Sequence, residues 1–104
     1  MYDWEVKPQL QEKIEKLSKR DKLTYERVMK KIEEIVNNPN PDHYKNLTHE
    51  LKDRKRVHIG HFVLVFKFAD QKIEFLDFEH HDKIYRVWLK TERNNLSTRN
   101  YKNT

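Results

Sequence analysis

Two short turns divide the segment 53–79 into three runs of strand-forming residues. Gly60, the only glycine of the chain, separates the first two runs, and Ala69-Asp70-Gln71 separates the last two. Connections this short join antiparallel neighbours, and glycine most readily adopts the positive φ of a tight turn. The middle strand is central, because Phe62-Val63-Leu64-Val65-Phe66 is apolar on both faces. The sequence therefore predicts a three-stranded antiparallel meander with strands at roughly 53–59, 61–68 and 72–79.

The N-terminal part combines a short strand with helical periodicity. Residues 2–6 alternate apolar and acidic side chains, which is typical of a strand. Pro8 then opens a segment whose apolar residues recur at helical spacing, and this pattern is interrupted next to Asp21. We predict two helices, roughly 8–19 and 21–37, with Asp21 as the N-cap of the second helix. One bent helix is the alternative.

A closing helix is predicted after the strands. Asp82 is placed to cap it, and its buried side is expected to carry Ile84, Val87, Trp88 and Leu89. We thus predict an α+β fold in which an N-terminal strand, a two-helix hairpin, a three-stranded antiparallel meander and a C-terminal helix follow one another. Residues 1–93 form one domain, and the polar residues 94–104 form a tail that frays. The helices cover one sheet face and leave the other partly open.

Composition bounds the size and chemistry of this domain. The chain has 104 residues, of which 36% are hydrophobic and 38% charged, so its core is small and depends on aromatic and β-branched side chains. It has no cysteine, which excludes disulfides, thiol catalysis and cysteine-containing zinc sites. No apolar run approaches membrane-spanning length and no signal peptide opens the chain. A cytoplasmic protein without membrane contact is expected.

Positive charge is concentrated in two segments. The net charge is +5, yet residues 52–58 hold four basic residues against one acidic, and residues 86–104 hold five against one. In a strand, Arg54, Arg56 and His58 share one face because they are two residues apart. Guanidinium groups suit phosphate, which they bind through paired hydrogen bonds. This face predicts a polyanionic partner, with nucleic acid favoured over a merely solvated surface.

Three pieces of sequence, in order, resemble the RelE/ParE superfamily of toxins from toxin–antitoxin pairs, and most closely its archaeal RelE-like branch. They are the basic strand 51–58, the turn and hydrophobic strand 60–66, and His80-His81-Asp82-Lys83-Ile84-Tyr85. The resemblance extends over nearly the whole chain, to about Trp88.

The resemblance implies a ribosome-dependent messenger-RNA endonuclease, or mRNA interferase. Such a toxin cuts the message in the decoding site by attack of a ribose 2′-hydroxyl, without a metal or other cofactor. It implies a RelB-like antitoxin as partner, in a heterodimer or heterotetramer, and the ribosome and mRNA as further partners.

The resemblance also implies site residues. Its catalytic positions fall on Arg54, Arg56 and Tyr85. Two departures are visible: Val63 stands where the family often has an Arg, and Glu79, His80 and His81 stand where many members have an Arg. Because a histidine can act as acid or base near neutral pH, His58 and His81 complete the predicted catalytic set. The predicted RNA contacts are Lys52, Lys55, Arg86 and Lys90.

Further interpretations concern the histidines and the function. Because neighbouring strand residues point in opposite directions, at most one of His80 and His81 faces the site, and the resemblance favours His81, which aligns with the family's basic position. The six histidines show no metal-ligand spacing, so we predict no metal site. Two alternative functions stay open. One is a ParE-like, non-nucleolytic inhibitor of gyrase, which Val63 and the missing signature Arg favour, and the other is an RNA-binding module without catalysis.

Overall fold

The elements follow one another in the predicted order. A computed structural model of the chain describes residues 2–48 and 53–87. Strand β1 precedes the two helices, a short 3-10 turn at Pro41–His43 follows them, and three strands and helical residues 81–87, called α3, complete the described fold. The bounds are β1 Asp3–Val6, α1 Pro8–Arg20, α2 Lys22–Val36, β2 Arg54–Ile59, β3 Phe62–Ala69 and β4 Lys72–His80. The α+β class is confirmed.

The sheet has four strands in the order β1-β4-β3-β2. The predicted antiparallel meander is confirmed, and β1 adds to its far edge parallel to β4. Both turns use the left-handed region, with φ at 61° for Gly60, 53° for Asp70 and 63° for Gln71. Positive φ at two successive residues matches the right-handed twist of the flanking strands, so the β3–β4 connection closes in two residues.

Asp21 separates the two helices and caps the second. Its backbone N–H donates to the Leu17 carbonyl, which closes α1, and its side chain accepts from Thr24 N at 3.1 Å. The Thr24 hydroxyl also donates to Asp21 at 2.6 Å, and these hydrogen bonds lower the pKa of the Asp21 carboxyl. The predicted N-cap is confirmed, and the single bent helix is wrong, because Asp21 has φ −147° and ψ 84°.

The two faces of the sheet are packed differently. The helical hairpin covers one face, and the main core lies between them. Its buried members are Leu10, Val28, Ile32, Ile35, Val36, Ile59, Leu64, Phe66, Ile73, Phe75 and Phe78. The opposite face carries a smaller group, here called the floor cluster, which consists of Leu47, Val63, Val65, Leu76 and Ile84. Ile84 belongs to α3, so the C-terminal helix packs on the face that the hairpin leaves open.

The start of α3 differs from the prediction in two respects. Helical geometry begins at residue 81, so Asp82 lies inside the first turn, and its backbone N–H donates to His80 Nδ1 at 3.3 Å. His80 therefore takes the capping role. Ile84 is fully buried as predicted, whereas Val87 is 46% exposed and does not belong to the floor cluster. Trp88, Leu89 and the tail 94–104 lie outside the described residues.

A β-bulge and an ion pair hold the end of β4. Val65 pairs with Asp77 and Phe66 with Phe75, which leaves Leu76 as the extra residue. Asp77 is buried and accepts from Lys13 Nζ of α1 at 2.5 Å, and the same ammonium contacts Glu79 at 3.0 Å. Helix α1 thus fastens the part of β4 that leads into α3.

Among the described residues, none of the helices combines the length and apolar character needed to cross a bilayer.

Candidate nucleic-acid interface

The cations of β2 and the floor cluster lie on the same face of the sheet. The antiparallel register sets Arg54 opposite Lys67, Arg56 opposite Val65 and His58 opposite Val63. Val63 and Val65 are fully buried members of the floor cluster. The three side chains that the sequence placed on one face are therefore on one face, and it is the face turned away from the helical hairpin.

Four of the five predicted catalytic side chains form one continuous series, here called the contact chain. The rings of His58 and His81 are stacked with centroids 5.4 Å apart, and His81 meets the edge of Tyr85 at 4.8 Å. Arg56 Nη1 donates to the Tyr85 hydroxyl at 2.6 Å, and its guanidinium carbon lies 5.8 Å from the ring centroid. Strand β2 and helix α3, distant in sequence, together place an imidazole pair beside a guanidinium.

The segment 45–47 also holds Arg56 in place, in addition to Tyr85. Arg56 N donates to the Lys45 carbonyl at 2.9 Å, and Leu47 N donates to the Arg54 carbonyl at 2.8 Å. Arg56 Nε also donates to the Asn46 carbonyl at 3.1 Å. Two donors of the guanidinium are thus used to fix its orientation, and the remaining donors are available to a bound phosphate.

His58 is suited to accept a proton. Its ring is partly withdrawn from water, and the positive charges of Arg56, His81 and Lys45 act on it. Together these effects lower the pKa of His58 below its ordinary value. A pKa below about 6.5 leaves most of the imidazole neutral at pH 7, and the neutral ring is the form of a general base. His81 Nδ1 lies 3.4 Å from the Asp82 carboxylate.

Arg54 is on the same face but outside the contact chain. Its Nη1 is 2.7 Å from the Asp53 carboxylate, and Lys67 Nζ is 3.9 Å from the same group. Arg54 precedes Arg56 by one two-residue repeat of the strand, about 7 Å along β2. The basic face therefore extends beyond the contact chain toward Lys67.

Lys55 is not on this face, which corrects its predicted role as an RNA contact. Its side chain alternates with Arg54 and Arg56, points toward the hairpin side and is only 4% exposed. The ammonium donates to Asn46 Oδ1 at 2.6 Å and to the Asp42 carbonyl at 3.2 Å, and it pairs with the Asp42 carboxylate at 3.1 Å. Lys55 ties the segment after α2 to β2.

The other predicted RNA contacts are distributed as follows. Arg86 lies on α3, is exposed, and donates from Nε to the Asp82 carbonyl at 3.4 Å. Lys52 and Lys90 lie outside the described residues.

His80 and Glu79 contact residues outside the contact chain. His80 stacks on His61 at 6.3 Å and meets Phe62 at 5.9 Å, away from His58 and His81. Burial raises the pKa of Glu79, but hydrogen bonds from Lys13 and Lys83 outweigh it, so the net pKa is lowered. A carboxylate held by two ammonium groups is a weak base, so Glu79 is poorly suited to accept a proton.

Lys45 and Lys67 were missed as neighbours of the site. A signal for Lys67 was present in the sequence: a two-residue turn at Gly60-His61 sets Ile59 opposite Phe62, and counting outward sets Arg54 opposite Lys67. No comparable signal exists for Lys45, because its position depends on how an irregular segment meets the edge of β2. Within residues 2–48 and 53–87, no three His, Asp or Glu side chains converge so as to hold a metal ion.

Comparison with known sequences gives consistent matches. Residues 4–85 match the model of a family described as ParE toxin of type II toxin-antitoxin system, parDE. RelE4 of Methanocaldococcus jannaschii, named as a candidate toxin, is 51% identical over 89 residues, which are 83% of this chain and 93% of that protein. An uncharacterised protein of Methanosarcina mazei is 42% identical over 88 residues, covering 82% of this chain and 100% of that protein.

Solved structures share the fold. The crystal structure of YafQ from E. coli strain BL21(DE3) superposes with a TM-score of 0.57 at 21% identity, covering 82% of this chain and 99% of YafQ. A chain of the E. coli DinJ–YafQ complex superposes with a TM-score of 0.57 at 19% identity, with the same coverage. At such identities the likeness concerns the fold.

Proposed function

The chain belongs to the ParE toxin family of type II toxin–antitoxin systems, and from this premise we propose that it is an endoribonuclease that cuts ribosome-bound messenger RNA. The observation that carries the proposal is the contact chain. It sets a neutral imidazole, a second imidazole and a guanidinium side by side on an open sheet face. These are the groups that RNA cleavage by an internal hydroxyl needs: a base, an acid and a positive charge.

The proposed reaction is an in-line displacement at one phosphate. His58 accepts the proton of the ribose 2′-hydroxyl while that oxygen bonds to the adjacent phosphorus. Arg56 stabilises the charge on the pentacoordinate phosphorane, and the bond from phosphorus to the 5′-oxygen of the next nucleotide breaks. His81, in contact with both His58 and Tyr85, donates a proton to that oxygen. The products are a 2′,3′-cyclic phosphate and a 5′-hydroxyl, with no oxidant or cofactor consumed.

Tyr85 acts in this scheme mainly through Arg56. Its hydroxyl accepts from Nη1 and so holds the guanidinium beside the imidazoles. The aromatic ring offers in addition a surface on which a base can stack. Arg86 and Arg54 extend the positive charge on either side and are proposed to contact neighbouring phosphates.

The proposed partners follow from the family. A RelB-like antitoxin binds the toxin and covers or distorts the basic face, in a heterodimer or a heterotetramer. The E. coli DinJ–YafQ complex is a precedent for such pairing in a protein of the same fold. Ribosomes and mRNA are the proposed targets, which places the activity in the cytoplasm.

The test is cleavage of a message on programmed ribosomes, with the same naked message as comparison and 5′ ends mapped by primer extension. We expect a cut within the decoding-site codon only when ribosomes are present. His58→Asn should slow cleavage by at least about 100-fold, the usual contribution of a general base. His61→Asn is the matched control, because His61 pairs with His80 outside the contact chain. Absence of cleavage with and without ribosomes, from folded protein, would contradict the proposal.

A second candidate is a non-nucleolytic toxin that inhibits gyrase. The ParE description of the matched family favours this candidate. Val63 favours it as well, because it stands at a position where the family often has an Arg and is buried in the floor cluster. The arrest profile separates the two candidates. Blocked protein synthesis with intact DNA replication supports the nuclease, whereas blocked replication with DNA damage supports the gyrase inhibitor.

A further inference from the structure

Arg54, Lys67 and Asp53 form a charged group at the end of the basic face remote from α3. Arg54 and Lys67 are cross-strand partners on β2 and β3, so their side chains leave the same face of the sheet next to each other. Both reach the Asp53 carboxylate, Arg54 Nη1 at 2.7 Å and Lys67 Nζ at 3.9 Å. One carboxylate thus lies between two cations.

We propose that Arg54 and Lys67 form a second phosphate-binding position for RNA, and that the Asp53 carboxylate occupies this position in the free protein. The inference rests on the proposed function for the identity of the ligand, since the polyanion is taken to be RNA. It adds Lys67 to the binding residues and gives Asp53 the role of a built-in competitor.

The spacing along β2 favours this assignment. His58, Arg56 and Arg54 follow one another on one face at intervals of about 7 Å. If the reacting phosphate lies at Arg56, the next cationic position along the strand is Arg54 with Lys67 beside it. The acidic neighbour across from Lys67 is Glu74 on β4, and that carboxylate already pairs with Lys7 at 3.6 Å and Lys72 at 3.8 Å. Lys67 instead pairs with the Asp53 carboxylate, beside Arg54.

The Asp53 ion pair can be exchanged for a phosphate. The side chains of Arg54, Lys67 and Asp53 are 24%, 33% and 45% exposed, so water and solutes reach the group, and such partly exposed pairs contribute little stability. An RNA phosphodiester carries the same single negative charge as a carboxylate, and its two non-bridging oxygens can accept paired hydrogen bonds from a guanidinium, so it can replace Asp53 at the same two cations.

The geometry of Arg54 also indicates a second orientation. Within residues 2–48 and 53–87 its Nε is buried and has no acceptor, so the pairing with Asp53 leaves this donor of the guanidinium unused. Turning the guanidinium from Asp53 toward a bound phosphate would let Nε and a neighbouring Nη donate together. Paired donation of this kind is the preferred arrangement of arginine with phosphate.

The experiment measures binding of a short fluorescein-labelled 2′-O-methyl RNA, which lacks the attacking hydroxyl and cannot be cut, by anisotropy over a range of salt concentrations. Asp53→Asn should bind about two- to fivefold more tightly than the wild-type protein, the factor expected for release of a partly exposed ion pair. Its log Kd should also depend more steeply on log salt, by about 0.7 for one added phosphate contact to a single strand.

Asp70→Asn is the matched control. Asp70 is an exposed acid of the β3–β4 turn, its φ of 53° is one that asparagine tolerates, and its removal changes the net charge equally. It should leave the salt slope unchanged. Adding Lys67→Gln to Asp53→Asn should abolish the gain in affinity. Circular dichroism of each variant establishes that it is folded.

Three results would overturn the inference. The first is that Asp53→Asn binds RNA no more tightly than Asp70→Asn, and the second is that the gain in affinity from Asp53→Asn persists when Lys67→Gln is added. The third is that no variant binds RNA. The nuclease function is tested separately by ribosome cleavage. Tighter RNA binding by Asp53→Asn without cleavage on ribosomes supports the second phosphate position and contradicts the nuclease function. Cleavage on ribosomes without tighter binding by Asp53→Asn supports the nuclease function and contradicts the second phosphate position.

Discussion

The Tyr85 hydroxyl accepts a hydrogen bond of 2.6 Å from Nη1 of Arg56, across 29 residues of sequence. This contact joins α3 to β2, and it makes the orientation of the cation depend on the docking of a short C-terminal helix. The docking in turn depends on Ile84, which is fully buried in the floor cluster. We therefore expect the packing of Ile84 in the floor cluster to affect the geometry of the charged groups of the site.

Removing only the Tyr85 hydroxyl should lower catalysis with little effect on binding. In Tyr85→Phe the ring stays, but Arg56 loses the acceptor that orients it. We expect single-turnover cleavage on ribosomes to fall about tenfold, the equivalent of one hydrogen bond to a charged group. Tyr44→Phe is the matched control, because Tyr44 packs against Phe66 on the hairpin side. Equal rates for wild type and Tyr85→Phe would refute the positioning role.

The pKa of His58 should respond to the charge of Arg56. Partial desolvation, and then the charges of Arg56, His81 and Lys45, lower it. In Arg56→Gln one repulsive charge is lost, the protonated ring becomes less unfavourable, and the pKa rises toward the ordinary value of about 6.5. NMR titration of the imidazole resonances measures this directly.

The same shift predicts the pH dependence of cleavage. Because a base must be unprotonated, activity should decline as the pH falls through the lowered pKa of His58, and the midpoint of this acid limb should lie below about 6.5. Lys45→Gln should move the limb to higher pH without removing a group of the contact chain. An acid limb that does not respond to Lys45→Gln would mean that another group titrates.

Lys55 and Arg56 are adjacent in sequence, but we expect Lys55 to contribute to folding stability and Arg56 to RNA binding. Lys55→Met removes hydrogen bonds from a buried ammonium to Asn46 and Asp42, and we expect it to cost about 1–3 kcal/mol of unfolding free energy in urea. Its affinity for the 2′-O-methyl RNA should be unchanged. Arg56→Met should behave in the opposite way, weakening RNA binding and its salt dependence with little loss of stability. Equal RNA affinities for the two variants would contradict the assignment of faces.

Shortening the Ile84 side chain should lower the stability of the fold and slow cleavage. Ile84→Ala leaves a cavity in the floor cluster, and we expect a loss of about 2–4 kcal/mol in unfolding free energy together with slower cleavage. Ile84→Val should give a smaller loss of about 1 kcal/mol. Val87→Ala, on the same helix at a position 46% exposed, is the control and should change neither quantity appreciably. Cleavage by Ile84→Ala at the wild-type rate would show that α3 docking does not position Arg56.

Local patterns predicted much of the architecture. The apolar periodicity and Asp21 determined the two helices, since a side-chain acceptor at a break in a helical pattern is a local signal. The two turns determined the meander, and the two-residue spacing of Arg54, Arg56 and His58 determined that they share a face. The same alternation places Lys55 on the opposite face, where it is buried, so the sequence pattern also argues against Lys55 as an RNA contact.

The N-terminal strand was predicted, but its partner was not. Residues 2–6 carry a strand pattern that suits either edge of the meander, and the choice of a parallel position beside β4 depends on how the hairpin crosses the sheet. The capping of α3 by His80 instead of Asp82 likewise depends on where β4 ends, which the bulge at Leu76 and the Lys13–Asp77 pair control.

The order of elements, the basic face and the candidate residues could be predicted from local sequence, because they follow from periods of two and 3.6 residues and from a resemblance carried by short motifs. Three contacts could not be predicted in this way: the series His58, His81, Tyr85 and Arg56, the pairing of Glu79 with Lys13, and the position of Asp53 between Arg54 and Lys67. These residues are far apart along the chain or depend on how separate elements pack. Contacts between α3, α1 and the strands arise from packing of the floor cluster and the main core, and no local pattern encodes which side chains that packing brings together.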